Sequence, residues 1–320
     1  MIVLKRVKSN RLQVLEALLR RLPVEDCDYP KFQKSFFQLR KGYLGELRSD
    51  REWNEIRMPD DHYLLFNYET VNEVGNINQI DTLMLSRYFL FIMEVKNITG
   101  KIDFDDEKRQ FTNFKGDNNI EVYTNPEDQI ERHMRMIYKI MKMLNIHLPI
   151  LGAIVFSNTS TIIGEPPKRI PAFHLSGLNS HVNSLFHKYS KQVITLNELN
   201  LLKDYLLEIL ERDNWKPNID KSKLKKGAIC ENCNDHSPMK YYYGRFICQK
   251  CKSMSKDILL ESLLDYRVLF NPWISNNEFK QFFSISSVKT SYKLLKSLNL
   301  DSKGNDRSRI YYIPNNIKIK

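Results

Sequence analysis

The spacing of apolar and polar residues changes several times along the chain, and each change predicts an element. The opening stretch, MIVLKRVKSNRLQVLEALLRRLP, predicts an amphipathic helix over Arg11 to Arg21 that Pro23 ends. Tyr29 to Ile56, which contains GYLGELRSDREWNEI, keeps a helical period. Strand character follows in His62 to Tyr68, in the alternating INQIDTLMLS of Ile77 to Ser86, and in YFLFIMEVKN of Tyr88 to Asn97. The unbroken apolar run of the third predicts a strand buried on both faces. Ile102 to Phe114 (IDFDDEKRQFTNF) reads as a hairpin with an acidic tip, which argues against DNA contact there. Asn125 and Pro126 then cap and open a helix over Glu127 to Leu144. The buried strand ILGAIVFSN, the Pro-rich EPPKRIP and two helices, the last over Leu196 to Arg212, complete an α/β layer.

The period is lost in Trp215 to Gly227 (WKPNIDKSKLKKG), which predicts a boundary near residue 214 and a basic linker over 214–227. Met239 to Ile247 (MKYYYGRFI) is strand-like, and its aromatic and basic side chains either stabilise that segment or contact nucleic acid, the structural role being preferred. An amphipathic helix over Ile258 to Leu269 ends at Asn271-Pro272. The next stretch, ISNNEFKQFFSISSVKTSYKLLKSLNL, fits helix, tight turn, helix, with Val288, Tyr292, Leu295 and Leu298 facing inward. That leaves Lys289, Thr290, Lys293 and Lys296 outward, where a recognition helix makes its contacts. DSKGNDRSR before YYI predicts a hairpin with a basic tip at Lys303, Arg307 and Arg309, so the whole segment is similar to a winged helix-turn-helix.

Length and composition bound this picture. With 320 residues and 38.0 kDa the chain has room for more than one domain. No apolar run approaches the ~20 residues of a membrane helix; Tyr88 to Met93, for example, is bounded by Arg87 and Glu94. The first residues lack the apolar core of a secretory signal, which predicts a cytoplasmic protein without membrane contact. Charge is segregated: residues 1–213 hold 29 Lys+Arg and 29 Asp+Glu, so the net +11 lies wholly in residues 214–320. A neutral body with a basic module fits a protein that brings an activity to a polyanion, although a solubilising surface has the same signature.

Two groups of residues suggest chemistry. Cys230, Cys233, Cys248 and Cys251 form two C-x2-C knuckles separated by 14 residues, a spacing that suits a closed structural Zn2+ site in a zinc ribbon. Cys27 stands apart and reads as a small buried or half-buried side chain. In the apolar strand, Glu94 and Lys96 project from one face, and a hairpin turning near Ser86-Arg87 brings Asp81 toward them. Asp81 and Glu94, with the Val95 carbonyl, suit Mg2+ or Mn2+, and Lys96 could orient or deprotonate a water. An ion pair at a sheet edge is the plainer reading of the same three side chains.

The order of motifs adds a resemblance. GYLGE on a helix, QIDTLML, FIMEVKN followed by ITGKI, and NPEDQIERHMRMI opening a helix closely resemble the nuclease-related domain (NERD) family of the PD-(D/E)xK nuclease superfamily. The resemblance covers most of residues 1 to about 150 and includes Arg21-Leu22-Pro23. It implies Glu46 as the helix-borne acid, Asp81 and Glu94 as metal ligands, Lys96 as catalytic lysine and Gln129 as the polar residue of the following helix. Gly45 reads as the place where that first helix nears the sheet, and His133 as a surface residue.

The expectation is therefore an α/β protein with a mixed sheet of the restriction-endonuclease type flanked by helices. It divides into a nuclease-like domain (1–213), the linker (214–227), a zinc ribbon (228–254) and a winged-helix unit (255–320). Its expected activity is metal-dependent hydrolysis of DNA, with RNA as the alternative polymer and a non-catalytic DNA-binding scaffold as the alternative role. A homo-oligomer or a protein partner stays open.

Overall fold

In a computed structural model, all residues are described except 60, 73, 74, 117, 118, 234–236, 256, 316–320 and the side chain of Arg307. The chain divides into two units, one of Met1–Lys8 with Leu39–Asp213, the other of Ser9–Gln38 with Asn214–Lys320.

The chain starts with β1 (Ile2–Leu4), α1 (Asn10–Arg21) and α2 (Tyr29–Trp53). Then come β2 (His62–Val71), β3 (Ile77–Ser86), β4 (Leu90–Lys96), β5 (Gly100–Asp105), β6 (Gln110–Phe114) and β7 (Ile120–Thr124). α3 (Pro126–Met143), β8 (Ile150–Phe156), β9 (Thr161–Ile163), β10 (Ala172–His174), α4 (Leu178–Lys188) and α5 (Leu196–Glu208) complete the first unit.

Its main sheet has the order β1-β2-β3-β4-β8-β10, antiparallel through β2, β3 and β4 and parallel from β4 to β10. The apolar run of β4 is buried on both faces, as its composition predicts. Leu90 and Ile92 join a core with Ile130 and Ile137 of α3 and Leu199 and Leu202 of α5. Phe91 and Met93 join a second core with Trp53 of α2 and Leu178 and Val182 of α4. Glu94 continues the alternation of Leu90 and Ile92, so the sequence itself aims it at the α3 side. The expected hairpin of β5 and β6 is present within a smaller sheet of order β7-β6-β5-β9.

Gly45 lies where α2 meets this sheet. A Cβ there would come within 2.6 Å of Asn97 Cβ and of Ser157 Oγ, so the helix sits this close because the residue has no side chain. Asn97 donates to the Lys41 carbonyl at 2.6 Å from the same contact.

The second unit continues with β11 (Met239–Tyr242), β12 (Arg245–Cys248), β13 (Met254–Ser255), α6 (Ile258–Leu269), β14 (Trp273–Ser275), α7 (Asn276–Phe282), α8 (Val288–Ser297), β15 (Ser302–Lys303) and β16 (Ile310–Tyr312). β11, β12 and β13 form one antiparallel sheet, and β14, β16 and β15 another, β14 preceding and β15 and β16 following the helix, turn, helix of α7 and α8. Ser275 and Ser287 cap those two helices.

Two features depart from the sequence reading. The N-terminal helix groups with the C-terminal residues, because Arg21 is buried and donates to Asp265 of α6 at 2.8 Å, to the Lys225 carbonyl at 2.9 Å and to the Gly227 carbonyl at 2.9 Å. Arg20 pairs with the same carboxylate. The end of the expected linker is thus fastened to α1, and Leu224 beside it is buried. In α8 the inward stripe is rotated: Ser291, Leu295 and Leu298 are buried, whereas Val288 (59% exposed) and Tyr292 (37%) face outward. Ser291 can occupy the interior because its hydroxyl has two acceptors within reach, Asn276 Oδ1 and the Val288 carbonyl, each at 2.9 Å.

Removing Asp265 would leave the Arg21 guanidinium buried without its counter-charge. Asp265→Ala is expected to destabilise the second unit by about 3–5 kcal/mol, read as a lowered midpoint of urea unfolding, while Asp204→Ala on an exposed face of the first unit leaves the midpoint unchanged.

Candidate active site

The β3–β4 ladder stops at the pair Thr82–Met93, although β3 continues beside β2 and β4 continues beside β8. Asp81 stands at the fork. Its Oδ2 accepts the Val95 N–H at 2.8 Å, so a side chain takes over where the ladder ends. Glu94 and Lys96 leave β4 on the α3 side; Lys96 Nζ donates to Glu94 Oε1 at 2.7 Å and to Gln129 Oε1, in the first turns of α3, at 3.4 Å. Asp81 is 6% exposed and Glu94 4%. The structure thus joins Asp81, Val95, Glu94, Lys96 and Gln129 at one place.

Glu46 reaches the same region from α2, but by way of a residue that the sequence reading missed. Arg6, its side chain 1% exposed, pairs with Glu46, donates to Asp50 through Nε at 2.8 Å and Nη2 at 3.0 Å, and donates to the Asp81 carbonyl at 2.6 Å. No sequence signal marks Arg6, which lies 40 residues from Glu46 and 75 from Asp81. His133 is a correction of a different kind. It is 4% exposed, not on the surface, and its Nδ1 is buried without a hydrogen-bond partner. Burial, with the charges of Arg132 and Lys96 behind it, pushes its pKa down to about 4, so it faces the site as a neutral imidazole.

Burial, and then Asp81, push the Glu46 carboxyl up to about 8 against the opposing pull of Arg6. Burial, and then Glu94, push Asp81 up to about 7, against Arg6 and the Val95 N–H. For Lys96 burial alone would lower the pKa, but Glu94, Asp81 and Glu46 outweigh it and the net shift is upward, so the side chain is an ammonium. Several carboxylates in a space that resists their joint ionisation could hold a cation. Glu94 Oε2, buried and without a hydrogen-bond partner, supports the same fit. Glu46, Asp81 and Glu94 are not all within 4.8 Å of one another, which matches the engagement of Glu46 by Arg6.

The four cysteines of the second unit do come together, with donor atoms all within 4.8 Å. Cys230 and Cys251 Sγ are 3.6 Å apart, and Cys233 and Cys248 Sγ 3.7 Å. A tetrahedron of thiolates at the usual zinc distance has edges of about 3.8 Å, so the cluster is compatible with structural zinc. Cys27 is exposed rather than buried and lies outside this cluster.

The expected nucleic-acid contacts divide. Lys289, Lys293 and Lys296 are exposed on α8 and Thr290 is half-buried. Arg309 lines a cavity of about 440 Å3 with Tyr292, Asn276 and Asp306. The Arg307 side chain lies outside the described residues.

Residues 41–157 match the model of the NERD family, described as nuclease-related domain, and this part of the chain is a nuclease-related domain. Glu46, Asp81, Glu94, Lys96 and Gln129 all fall inside the match, while Arg6 and Arg21-Leu22-Pro23 fall outside it. No curated protein and no solved structure matches the chain. Among the described residues no helix is long and apolar enough to cross a membrane.

The raised carboxyls fix a sign for pH dependence. Between their unfolded values near pH 4 and their folded values, Glu46 and Asp81 keep protons that the unfolded chain has released, so stability falls as pH rises through that window. Without divalent cation the unfolding temperature is expected to decrease from pH 5 to pH 8, and added Mg2+ to raise it more at pH 8 than at pH 6. Calorimetric scans of wild type and Asp81→Asn check this; the variant should show a shallower slope and a smaller response to Mg2+.

Proposed function

We propose that the protein is a metal-dependent nuclease that hydrolyses DNA phosphodiester bonds. The observation that carries this reading is the junction of Asp81, Glu94, Lys96 and Gln129 at the fork of β3 and β4, inside the matched nuclease-related domain. Asp81 and Glu94 would hold Mg2+ or Mn2+, with the Val95 carbonyl as a further hard oxygen. A divalent cation supplies charge neutralisation on the phosphoryl oxygens as the bond breaks.

The residues of the chain do the rest. Lys96, kept protonated by its acidic neighbours, serves as a cation and hydrogen-bond donor that orients the attacking water and steadies charge on the phosphate, not as the base. Gln129 fixes the Lys96 ammonium from the α3 side. Arg6 keeps Glu46 in place beside Asp81 and leaves Glu46 one carboxylate oxygen to turn toward water. Arg132, Arg135 and Lys139, further along α3, line a second cavity of about 440 Å3 with Thr70, Asn72 and Asn78, a basic wall suited to a phosphate backbone.

The second unit would dock the enzyme on its substrate. We read α7, α8 and the β14-β16-β15 sheet as a winged helix-turn-helix, with Lys289, Thr290, Lys293, Lys296, Arg307 and Arg309 as its contacts, and the cysteine cluster as a zinc ribbon. The net +11 of residues 214–320 makes this docking sensitive to salt.

Cleavage of labelled duplex DNA, single-stranded DNA and RNA with Mg2+ or Mn2+ tests the proposal. Glu94→Ala and Lys96→Ala are expected to lose at least ~100-fold in rate while still binding the substrate. Binding by the wild type without cleavage of any of the three would leave the scaffold reading in its place, and cleavage of RNA alone would move the substrate.

A further inference from the structure

β11 and β12 are joined by a two-residue turn, since Tyr242 pairs with Arg245 and only Tyr243 and Gly244 lie between them. Both turn residues have positive φ, 45° at Tyr243 and 86° at Gly244. Such tight turns favour Asn-Gly, because a large side chain in the left-handed region crowds its own backbone. Tyrosine is thus a poor choice for folding at position 243. Nor is it offset by packing: Tyr243 is 98% exposed.

The neighbouring tyrosines differ in their use. Tyr241 packs on Phe246, ring centroids 5.3 Å apart, and lies half-buried against the core of the unit. Tyr242 alternates to the other face and is 46% exposed beside Arg245. Lys240 shares that outward face, and Met239 to Ser255 contain four Lys or Arg and no Asp or Glu. Strain retained at an exposed aromatic, on a hairpin whose charged residues are Lys240 and Arg245, is unexplained by stability.

We infer that the β11–β12 tip is a binding site for unpaired nucleobases, with Tyr243 as the stacking surface, Tyr242 as its neighbour, and Lys240 and Arg245 against the phosphates. Aromatic rings stack on any unpaired base, whereas the bases of an intact duplex present no free face. The inference rests on the nuclease reading for its biological sense, and it adds a substrate feature: a single strand, a frayed end or a bubble.

The test uses the full chain without added divalent cation, so it reads binding whether or not the first unit cleaves. Fluorescence anisotropy compares a labelled single-stranded oligonucleotide with the duplex of the same sequence. Tyr243→Asn should keep the turn and raise the unfolding temperature, yet weaken single-strand binding about tenfold and duplex binding less than twofold. Tyr243→Phe should bind as wild type does. The inference is overturned if Tyr243→Asn binds the single strand as tightly as wild type, if both substrates weaken equally, or if neither oligonucleotide binds the wild-type protein. Failure of cleavage with this pattern intact would count against the Asp81 and Glu94 site alone.

Discussion

Where β3 leaves β4, the Val95 N–H has lost its strand partner, and the Asp81 carboxylate accepts it at 2.8 Å. A buried amide left unpaired would be costly, so the bond both closes the sheet and fixes an acid at its fork. One alternation further along β4, Glu94 and Lys96 point to the same side. The parallel pairing of β4 with β8 through Lys96 keeps this end of the strand straight while its antiparallel neighbour departs. The arrangement needs a sheet that splits, an acid at the split, and a helix on one face to bring Gln129.

Electrostatics then decide what the split can do. Asp81 and Glu94 are buried close together, Glu46 adds another acid, and Arg6 offsets part of that charge from the N-terminal segment. Arg6 engages the Glu46 and Asp50 carboxylates but Asp81 only through its backbone carbonyl, so the Asp81 carboxylate is left to accept from the Val95 N–H, with Gln79 Nε2 3.5 Å from its other oxygen. The second unit applies the same rule to structure: Asp265 sits between Arg20 and Arg21, and Arg21 Nη1 also donates to two backbone carbonyls. In both units a buried charge is tolerated because it is paired and hydrogen-bonded.

Distance along the chain also explains what could be read from sequence. The alternation of β3, the unbroken run of β4 and the turn between them sufficed to bring Asp81 to Glu94, since a hairpin is local. The four cysteines were legible for a similar reason, two knuckles on a short tether. The close approach at Gly45 was legible from the missing side chain. Arg6 was not, because nothing in MIVLKRVK tells which of its cations will be buried. The partner of α1 was hidden too: an amphipathic stripe says that a helix packs, not on what. His133 was read as exposed because no second ligand lies near it in sequence, yet its place on the helix, four residues after Gln129, turns it toward Lys96. In α8 the apolar template chose Tyr292 over Ser291, and the interior accepted the serine because Asn276 satisfies its hydroxyl.

The central claim is that the fork of β3 and β4 holds a divalent cation between Asp81 and Glu94. Titration of Mn2+ into the full chain, followed by electron paramagnetic resonance, tests it most directly. The account predicts a bound ion that disappears in Asp81→Asn and in Glu94→Gln while metal at the cysteine cluster is retained. Mn2+ binding of equal affinity and stoichiometry in wild type and both variants would contradict it.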